Sequence, residues 1–269
     1  MRCSNIPCKY FLLSLFFILL TTACAQWYPR VTSSGLPERE YTYQKPETIN
    51  DGWETASLNE AVINPEKIGQ MMLDILGGND KNLHSVLLIK NGKLVLEEYF
   101  YGYNRDTSHF LASVSKSITS ILIGIAIDQK IAANVDTNAY EFFPEYIGTK
   151  WIDQKYPITL QHILTMSAGL DWEANKYSRR DPRHTTYQMY DSGNPIGFVL
   201  DRDVSEAPGK KFNYNSGLTI LLGGIVKNTS GLYIDDFAGQ YLFSAMGISD
   251  YHWDKFPDGN IQTDGGLHL

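Results

Sequence analysis

Residues 111–120, LASVSKSITS, place a serine three positions before a lysine where a strongly apolar segment begins. The segment that follows, ITSILIGIAIDQKI (118–131), is hydrophobic on nearly every side, which predicts a buried helix. Residues three apart lie on one face of a helix, so Ser113 and Lys116 would point in the same direction. The pair is either a nucleophile with its own base or an N-capping serine followed by a solvated lysine.

The chemistry of Ser113 depends on its surroundings, because a serine hydroxyl is a poor nucleophile until a base takes its proton. The positive end of a helix dipole favours an alkoxide at Ser113 and an uncharged Lys116, and the Ser113 N–H would form half of an oxyanion hole. About one S-x-x-K match is expected by chance in a chain of this composition. Ser113 and Lys116 form the only match, and its place before a buried helix favours the catalytic interpretation.

A second motif is FNYNSG (212–217). The hydroxyl of Tyr214 could relay a proton to a leaving group if it lies near Lys116. The alternative is a core tyrosine in the turn before a helix.

The remaining pattern predicts a mixed α+β chain. Asn64 would cap a helix over 63–76, and Asn91-Gly92 predicts a hairpin. Residues 26–58 and 173–195 are expected to be irregular. Further helices are expected at 158–172 (capped by Thr159 and ending near Gly169), 195–201, 216–232 and 233–248.

Four ordered blocks carry a family resemblance: SVSKS, ITLQHILTMSAGLDW, APGKKFNYNSGLTILLGGIV and YLFSAMGISDYHWDKFPDG. From about residue 84 onward the chain resembles the serine β-lactamase and penicillin-binding-protein-like hydrolases. It is most similar to their class C-related branch of carboxylesterases, 6-aminohexanoate-dimer hydrolases and D-amino-acid peptidases. The resemblance implies an antiparallel sheet flanked by helices plus an all-helical lobe. The expected limits are 26–135 for the first part of the α/β lobe, 136–250 for the helical lobe and 251–269 for the return.

The resemblance also implies roles for individual residues. Ser113 matches the acylated nucleophile, Lys116 its base partner, and Tyr214 the tyrosine that shares in proton transfer. Ser216 stands where the family often has asparagine, and its hydroxyl would bind substrate or Lys116. The family's third motif, on a later strand, would follow TDGGLHL (263–269), where the sequence ends. We therefore expect a truncated chain with an incomplete sheet, poor folding and little activity.

The N-terminus is expected to be a signal peptide over residues 1–25. Arg2 and Lys9 precede an apolar run that is too short to span a membrane, and Ala23-Cys24-Ala25 resembles a cleavage site before Gln26. The protein would then be periplasmic or extracellular, or a lipoprotein if Cys24 is acylated. All three cysteines lie in this leader, so no disulfide or thiolate chemistry is expected in the mature chain.

Composition and motifs exclude several function classes. A net charge of −7 without a basic run argues against nucleic-acid binding, and neither G-x-S-x-G nor H-E-x-x-H is present. We expect no metal or organic cofactor and a small ester, amide or short peptide as substrate. His162 is interpreted as a hydrogen-bonded core residue. His184, Tyr187 and Tyr190 are interpreted as parts of a solvated loop that would shape specificity only if it faces the site.

Two alternatives to a hydrolase stay open at this point. One is a penicillin-binding or sensor-type module that is acylated without turnover, or an inactive truncated homologue. The other is a structural envelope protein.

Overall fold

The computed structural model describes residues 28–146 and 157–269. The chain divides after Thr107 into two compact units, residues 28–107 and 108–269. The predicted signal peptide lies outside the described residues. This division groups residues by contact, and the lobe limits expected near residues 135 and 250 stay a prediction. Within the described ranges, no helix has the length and hydropathy needed to cross a bilayer.

The first unit is built on the predicted hairpin. Its elements are β1 (Glu54–Thr55), α1 (Pro65–Leu76), β2 (Ser85–Lys90) and β3 (Lys93–Tyr99). β2 and β3 are antiparallel and β1 joins β3 in parallel, giving the strand order β1-β3-β2. Asn91 (φ 52°) and Gly92 (φ 74°) occupy the left-handed region, as a type I′ hairpin turn requires. The hairpin prediction is confirmed.

Local sequence signals also set the limits of α1. The Asn64 side chain caps the helix by accepting a hydrogen bond from the Glu66 N–H at 2.8 Å, and Pro65 occupies the first turn. Gly78, with a φ of 82°, follows its end. The preceding arm is mostly irregular as expected, although it contributes the two-residue strand β1.

The second unit is mainly helical. Its helices are α2 (Ser115–Asp128), α3 (Leu160–Leu164), α4 (Thr185–Asp191), α5 (Pro195–Leu200), α6 (Ser216–Ser230) and α7 (Ile234–Ala238). Single 3₁₀ turns cover Ala112–Val114, Ala139–Phe142 and Ser244–Met246, and a π-helical turn covers Gly239–Phe243. β4 (His252–Trp253) and β5 (Leu267–His268) form an antiparallel pair. α6 is buried along most of its length and packs against α2, which places the core of this unit between them.

Two predictions about the helices need correction. α3 is capped by Thr159 as expected, but it ends at Leu164 rather than near Gly169, because the backbone turns left-handed at Met166 (φ 52°). The segment 173–195, expected to be irregular, contains α4. His184 is not solvated: it is 2% exposed, and its Nδ1 caps α4 by accepting from the Thr186 N–H at 3.1 Å.

Candidate active site

Ser113 lies in a strained turn. It is the middle residue of the 3₁₀ turn Ala112–Val114, just before α2. Ala112 has a φ of 45°, a left-handed conformation that residues other than glycine seldom adopt and that surrounding contacts must maintain. The Ser115 hydroxyl supplies one such contact by donating to the Ala112 carbonyl at 2.7 Å, and it accepts from the Leu267 N–H at 3.2 Å. The turn is therefore held by bonds from within α2 and from β5.

The structure brings together the three residues that the sequence marked as catalytic. The Ser113 Oγ accepts a hydrogen bond from the Lys116 Nζ at 3.2 Å and another from the Tyr214 hydroxyl at 2.8 Å. The Lys116 Nζ lies 5.2 Å from the centroid of the Tyr214 ring. A nucleophile within hydrogen-bond reach of two groups that can exchange protons is the arrangement that covalent catalysis requires.

The surroundings of Tyr214 favour its ionised form. Burial raises the pKa of this phenol, but the hydrogen bond with Ser113 and the positive charges of Lys116 and Arg179 outweigh burial. The net result is a pKa below the ordinary value for tyrosine. Tyr214 is thereby suited to take up a proton from Ser113 and return it.

A fourth contact, at Asp264, was not predicted. Lys116 also donates a short hydrogen bond to the backbone carbonyl of Asp264, 148 positions along the chain. This second acceptor directs the amine and leaves it within reach of Ser113. This contact could not be predicted from the sequence, because no local pattern shows which carbonyl a distant lysine will reach.

Thr263 anchors the segment that carries this carbonyl. Its hydroxyl donates to the Thr219 carbonyl in α6 at 2.8 Å, and its own carbonyl accepts from the Thr119 hydroxyl in α2 at 3.1 Å. Gly223 permits this approach, because a Cβ there would lie 2.7 Å from the Thr263 Cγ2. The buried helix pair α2–α6 therefore holds the turn that orients Lys116.

Asp264 connects Lys116 to a tyrosine of α4. The Asp264 carboxylate, in a residue only 1% exposed, accepts a hydrogen bond from the Tyr190 hydroxyl at 2.7 Å. Burial and the negative charge of Asp264 raise the pKa of Tyr190. Tyr190 is therefore a neutral donor, and its pKa shifts in the opposite direction to that of Tyr214.

Ser216 occupies a different environment from the one expected. It begins α6 and is 1% exposed, and its Oγ has no hydrogen-bond partner among the described residues. It makes no hydrogen bond with Lys116 in the part of the chain that the structure covers. Contact between Ser216 and a substrate stays a prediction.

Two histidines of this unit, His162 and His184, take part in helix caps. The His162 Nδ1 accepts from the Thr159 N–H at 3.1 Å, as expected for a hydrogen-bonded residue, but the side chain is half-buried rather than part of the core. His184 caps α4, as described above. Across residues 28–146 and 157–269, no group of three or more His, Cys, Asp or Glu side chains is arranged to hold a metal ion.

Comparisons with a family model, a curated protein and solved structures agree on one family. The beta-lactamase family model matches residues 82–267. A curated relative, the 6-aminohexanoate-dimer hydrolase of Paenarthrobacter ureafaciens, is 25% identical over 198 residues, which are 70% of this chain and 48% of that protein. The chain thus spans about half the length of this relative.

Two solved structures show the same fold. A Bacillus anthracis protein proposed to be a 6-aminohexanoate-dimer hydrolase has a TM-score of 0.61 at 18% identity, with 87% of this chain and 60% of that chain covered. A beta-lactamase/D-alanine carboxypeptidase from Yersinia pestis has a TM-score of 0.54 at 18% identity, with 68% and 58% covered.

These matches confirm the predicted β-lactamase/transpeptidase-like α+β fold and the predicted family. The family model covers more than half of the sequence, including Ser113, Lys116 and Tyr214. The chain belongs to the beta-lactamase family, which has hydrolases among its members.

Proposed function

We propose that the protein is an exported serine hydrolase that cleaves an ester or amide through an acyl-enzyme. One observation carries the proposal: the Ser113 Oγ is hydrogen-bonded to both Lys116 and Tyr214 in a strained turn. A serine that served only as an N-cap would instead accept hydrogen bonds from backbone N–H groups of its own helix. Export is supported only by the pattern of residues 1–25.

The reaction has two halves. Ser113 Oγ attacks the substrate carbonyl carbon while its proton passes to Lys116 or Tyr214, and the same pair returns the proton to the leaving oxygen or nitrogen as its bond to carbon breaks. Water then attacks the acyl-enzyme, releases the acid and restores the serine hydroxyl. The Ser113 N–H is the proposed donor to the oxyanion that forms in each half.

The substrate class follows from the relatives. One is named as a 6-aminohexanoate-dimer hydrolase and another as a beta-lactamase/D-alanine carboxypeptidase. We extend to this chain only cleavage of an acyl bond in a small molecule or short peptide.

The test combines labelling with turnover. The full chain is treated with a fluorophosphonate probe and assayed with 4-nitrophenyl esters and short linear amides. Ser113→Ala should abolish both labelling and turnover, whereas Ser120→Ala, which changes an exposed serine of α2, should leave them unchanged. Labelling without turnover would replace the hydrolase by an acylated binding module, and absence of Ser113-dependent labelling would refute the proposal.

A further inference from the structure

A cavity of about 420 Å³ lies in the second unit beside α4. Among the described residues, its lining comes from one side of that helix and from Arg179 in the loop before it. The helical lining residues are Thr186, Tyr187, Tyr190 and Asp191. Its volume falls within the range of ordinary small-molecule sites.

The wall of this cavity is fixed in place. The Tyr190 ring packs edge-on against Phe256, with centroids 4.9 Å apart, and its hydroxyl is held by the buried Asp264. The cap from His184 and the hydrogen bond from the Glu173 N–H to the Thr185 hydroxyl hold the start of α4. A preformed wall lowers the entropic cost of binding a ligand.

A short chain of hydrogen bonds links the cavity wall to the nucleophile. The Tyr190 hydroxyl bonds to the side chain of Asp264, the carbonyl of Asp264 accepts from Lys116, and Lys116 bonds to Ser113. Tyr190, Asp264 and Lys116 therefore connect a molecule bound in the cavity to the reacting serine.

Arg179 supplies a positive charge that this part of the molecule leaves without a counter-ion. Its guanidinium makes no ion pair within residues 28–146 and 157–269, whereas the nearby Arg183 is paired with Asp181 at 2.7 Å. The positive charge of Arg179 opposes the rise in the pKa of Tyr190 and adds to the fall in the pKa of Tyr214. Arg179 therefore brings a positive charge to the cavity that Tyr190 lines.

We propose that this cavity is a substrate subsite in which Arg179 binds a carboxylate carried on the acyl chain, several bonds from the carbonyl that Ser113 attacks. A guanidinium pairs with a carboxylate through two parallel hydrogen bonds, which gives both affinity and orientation. The hydroxyls of Thr186 and Tyr187 are further donors in the cavity lining. Asp191 disfavours a second negative charge, so a single carboxylate suits the cavity better than a dianion such as phosphate. The inference rests on the proposed hydrolase function.

The experiment compares two esters of equal acyl length, 4-nitrophenyl pentanoate and the mono-4-nitrophenyl ester of glutaric acid. The full chain should prefer the carboxylate ester, and Arg179→Gln should lower kcat/KM for that ester about tenfold while changing the neutral ester less than about twofold. Arg180→Gln, which removes the same charge from the next exposed position, is the matched control and should leave the preference intact.

A binding measurement separates this inference from the hydrolase proposal. Calorimetry with Ser113→Ala and the monoamide of glutaric acid should detect binding that is lost in the Ser113→Ala/Arg179→Gln double variant. Arg179-dependent binding with no turnover of either ester would uphold the subsite and refute the hydrolase. Turnover with equal rates on both esters, unchanged in Arg179→Gln, would overturn the subsite and leave the hydrolase intact.

Discussion

Two polar clusters, one in each unit, contain tyrosines, charged groups and buried hydrogen bonds, yet only one resembles a reactive site. The charge cluster of the first unit consists of Arg30, Tyr41, Glu97, Glu98, Tyr99 and Arg105. The nucleophile cluster of the second unit consists of Ser113, Lys116, Tyr214 and Asp264. In the charge cluster, Arg105 pairs with Glu97 at 2.6 Å and Arg30 pairs with Glu98. Each of these charges therefore meets an opposite charge.

The tyrosines of the two clusters differ in the direction of their pKa shifts. In the charge cluster, burial and the Glu97 carboxylate raise the pKa of Tyr99 to about 12, and burial and Glu98 raise the pKa of Tyr41. In the nucleophile cluster, burial is outweighed by Ser113 and the positive charges, and the pKa of Tyr214 falls. A tyrosine that donates to a carboxylate is a structural donor, whereas one beside cations and a hydroxyl gives up its proton more readily than an ordinary tyrosine.

The largest effect on catalysis is expected when the amine of the nucleophile cluster is removed. Lys116→Met should lower kcat/KM for an ester by about 10³-fold or more, because Ser113 loses a proton-transfer partner that acts as a unit with it. Steady-state assays of the full chain measure this effect. Lys67→Met, an exposed lysine of α1, is the control. Comparable losses in both variants would show that Lys116 has no special role.

The next effect concerns the lowered pKa of Tyr214. Tyr214→Phe should lower kcat/KM about 10²-fold. In the parent chain kcat/KM should rise with pH as Tyr214 loses its proton, at a pH below the ordinary value for tyrosine, and the variant should lack that rise. The measurement is a pH–rate profile from pH 6 to 10.

Tyr99→Phe is the matched control for the pH profile, since it removes the hydroxyl of a tyrosine whose pKa is raised. Its profile should follow that of the parent chain. A rise with pH that survives in Tyr214→Phe would assign the titration to another group and remove the contrast between the clusters.

A smaller effect is expected on stability in the charge cluster. The Glu97 side chain is 7% exposed and paired with Arg105, which is 37% exposed, so Glu97→Gln should lower the free energy of unfolding by about 1–2 kcal/mol. The hydrogen bond from Arg105 lowers the pKa of Glu97 against the opposing effect of burial. The stabilisation is therefore present above the ordinary pKa of the carboxyl and lost as the pH falls through the lower, folded-state value.

Urea unfolding at pH 7 and at pH 3 checks this expectation. The difference between the parent chain and Glu97→Gln should shrink at the lower pH. Glu54→Gln removes a carboxylate that is 75% exposed and paired with Lys93, and it should change stability little at either pH. Equal losses in the two variants would mean that burial does not distinguish these ion pairs.

The smallest effect is a local one in the first unit. Asn64→Ala removes the cap of α1 and should destabilise the protein by about 1 kcal/mol without changing the kinetics of the second unit. Thermal unfolding of this variant beside Asn59→Ala, an exposed asparagine with no capping role, measures it. A loss of ester turnover at a temperature where Asn64→Ala is still folded would contradict the expectation that this cap affects only stability.

Much of the fold was predictable because its signals are short in sequence. The Asn91-Gly92 turn, the Asn64 cap and the apolar helix after Ser113 each involve residues within a few positions of one another. The missed helix α4 shows the limit of this reasoning. Its cap is a histidine, which is not a typical N-cap, and its surface carries few apolar residues, so neither capping nor periodicity marks it.

The sequence by itself determined the identities of the reactive groups: a serine and a lysine one helical turn apart, and a tyrosine in a second motif. Tertiary structure alone decided their environment. Tyr214 reaches Ser113 from 101 positions away, and the carbonyl of Asp264 reaches Lys116 from 148 positions away, because α2 and α6 pack together and Thr263 bonds to both. Spacing in sequence specifies which residues share a helix face, whereas the direction of a pKa shift depends on charges and burial that only the folded chain assembles.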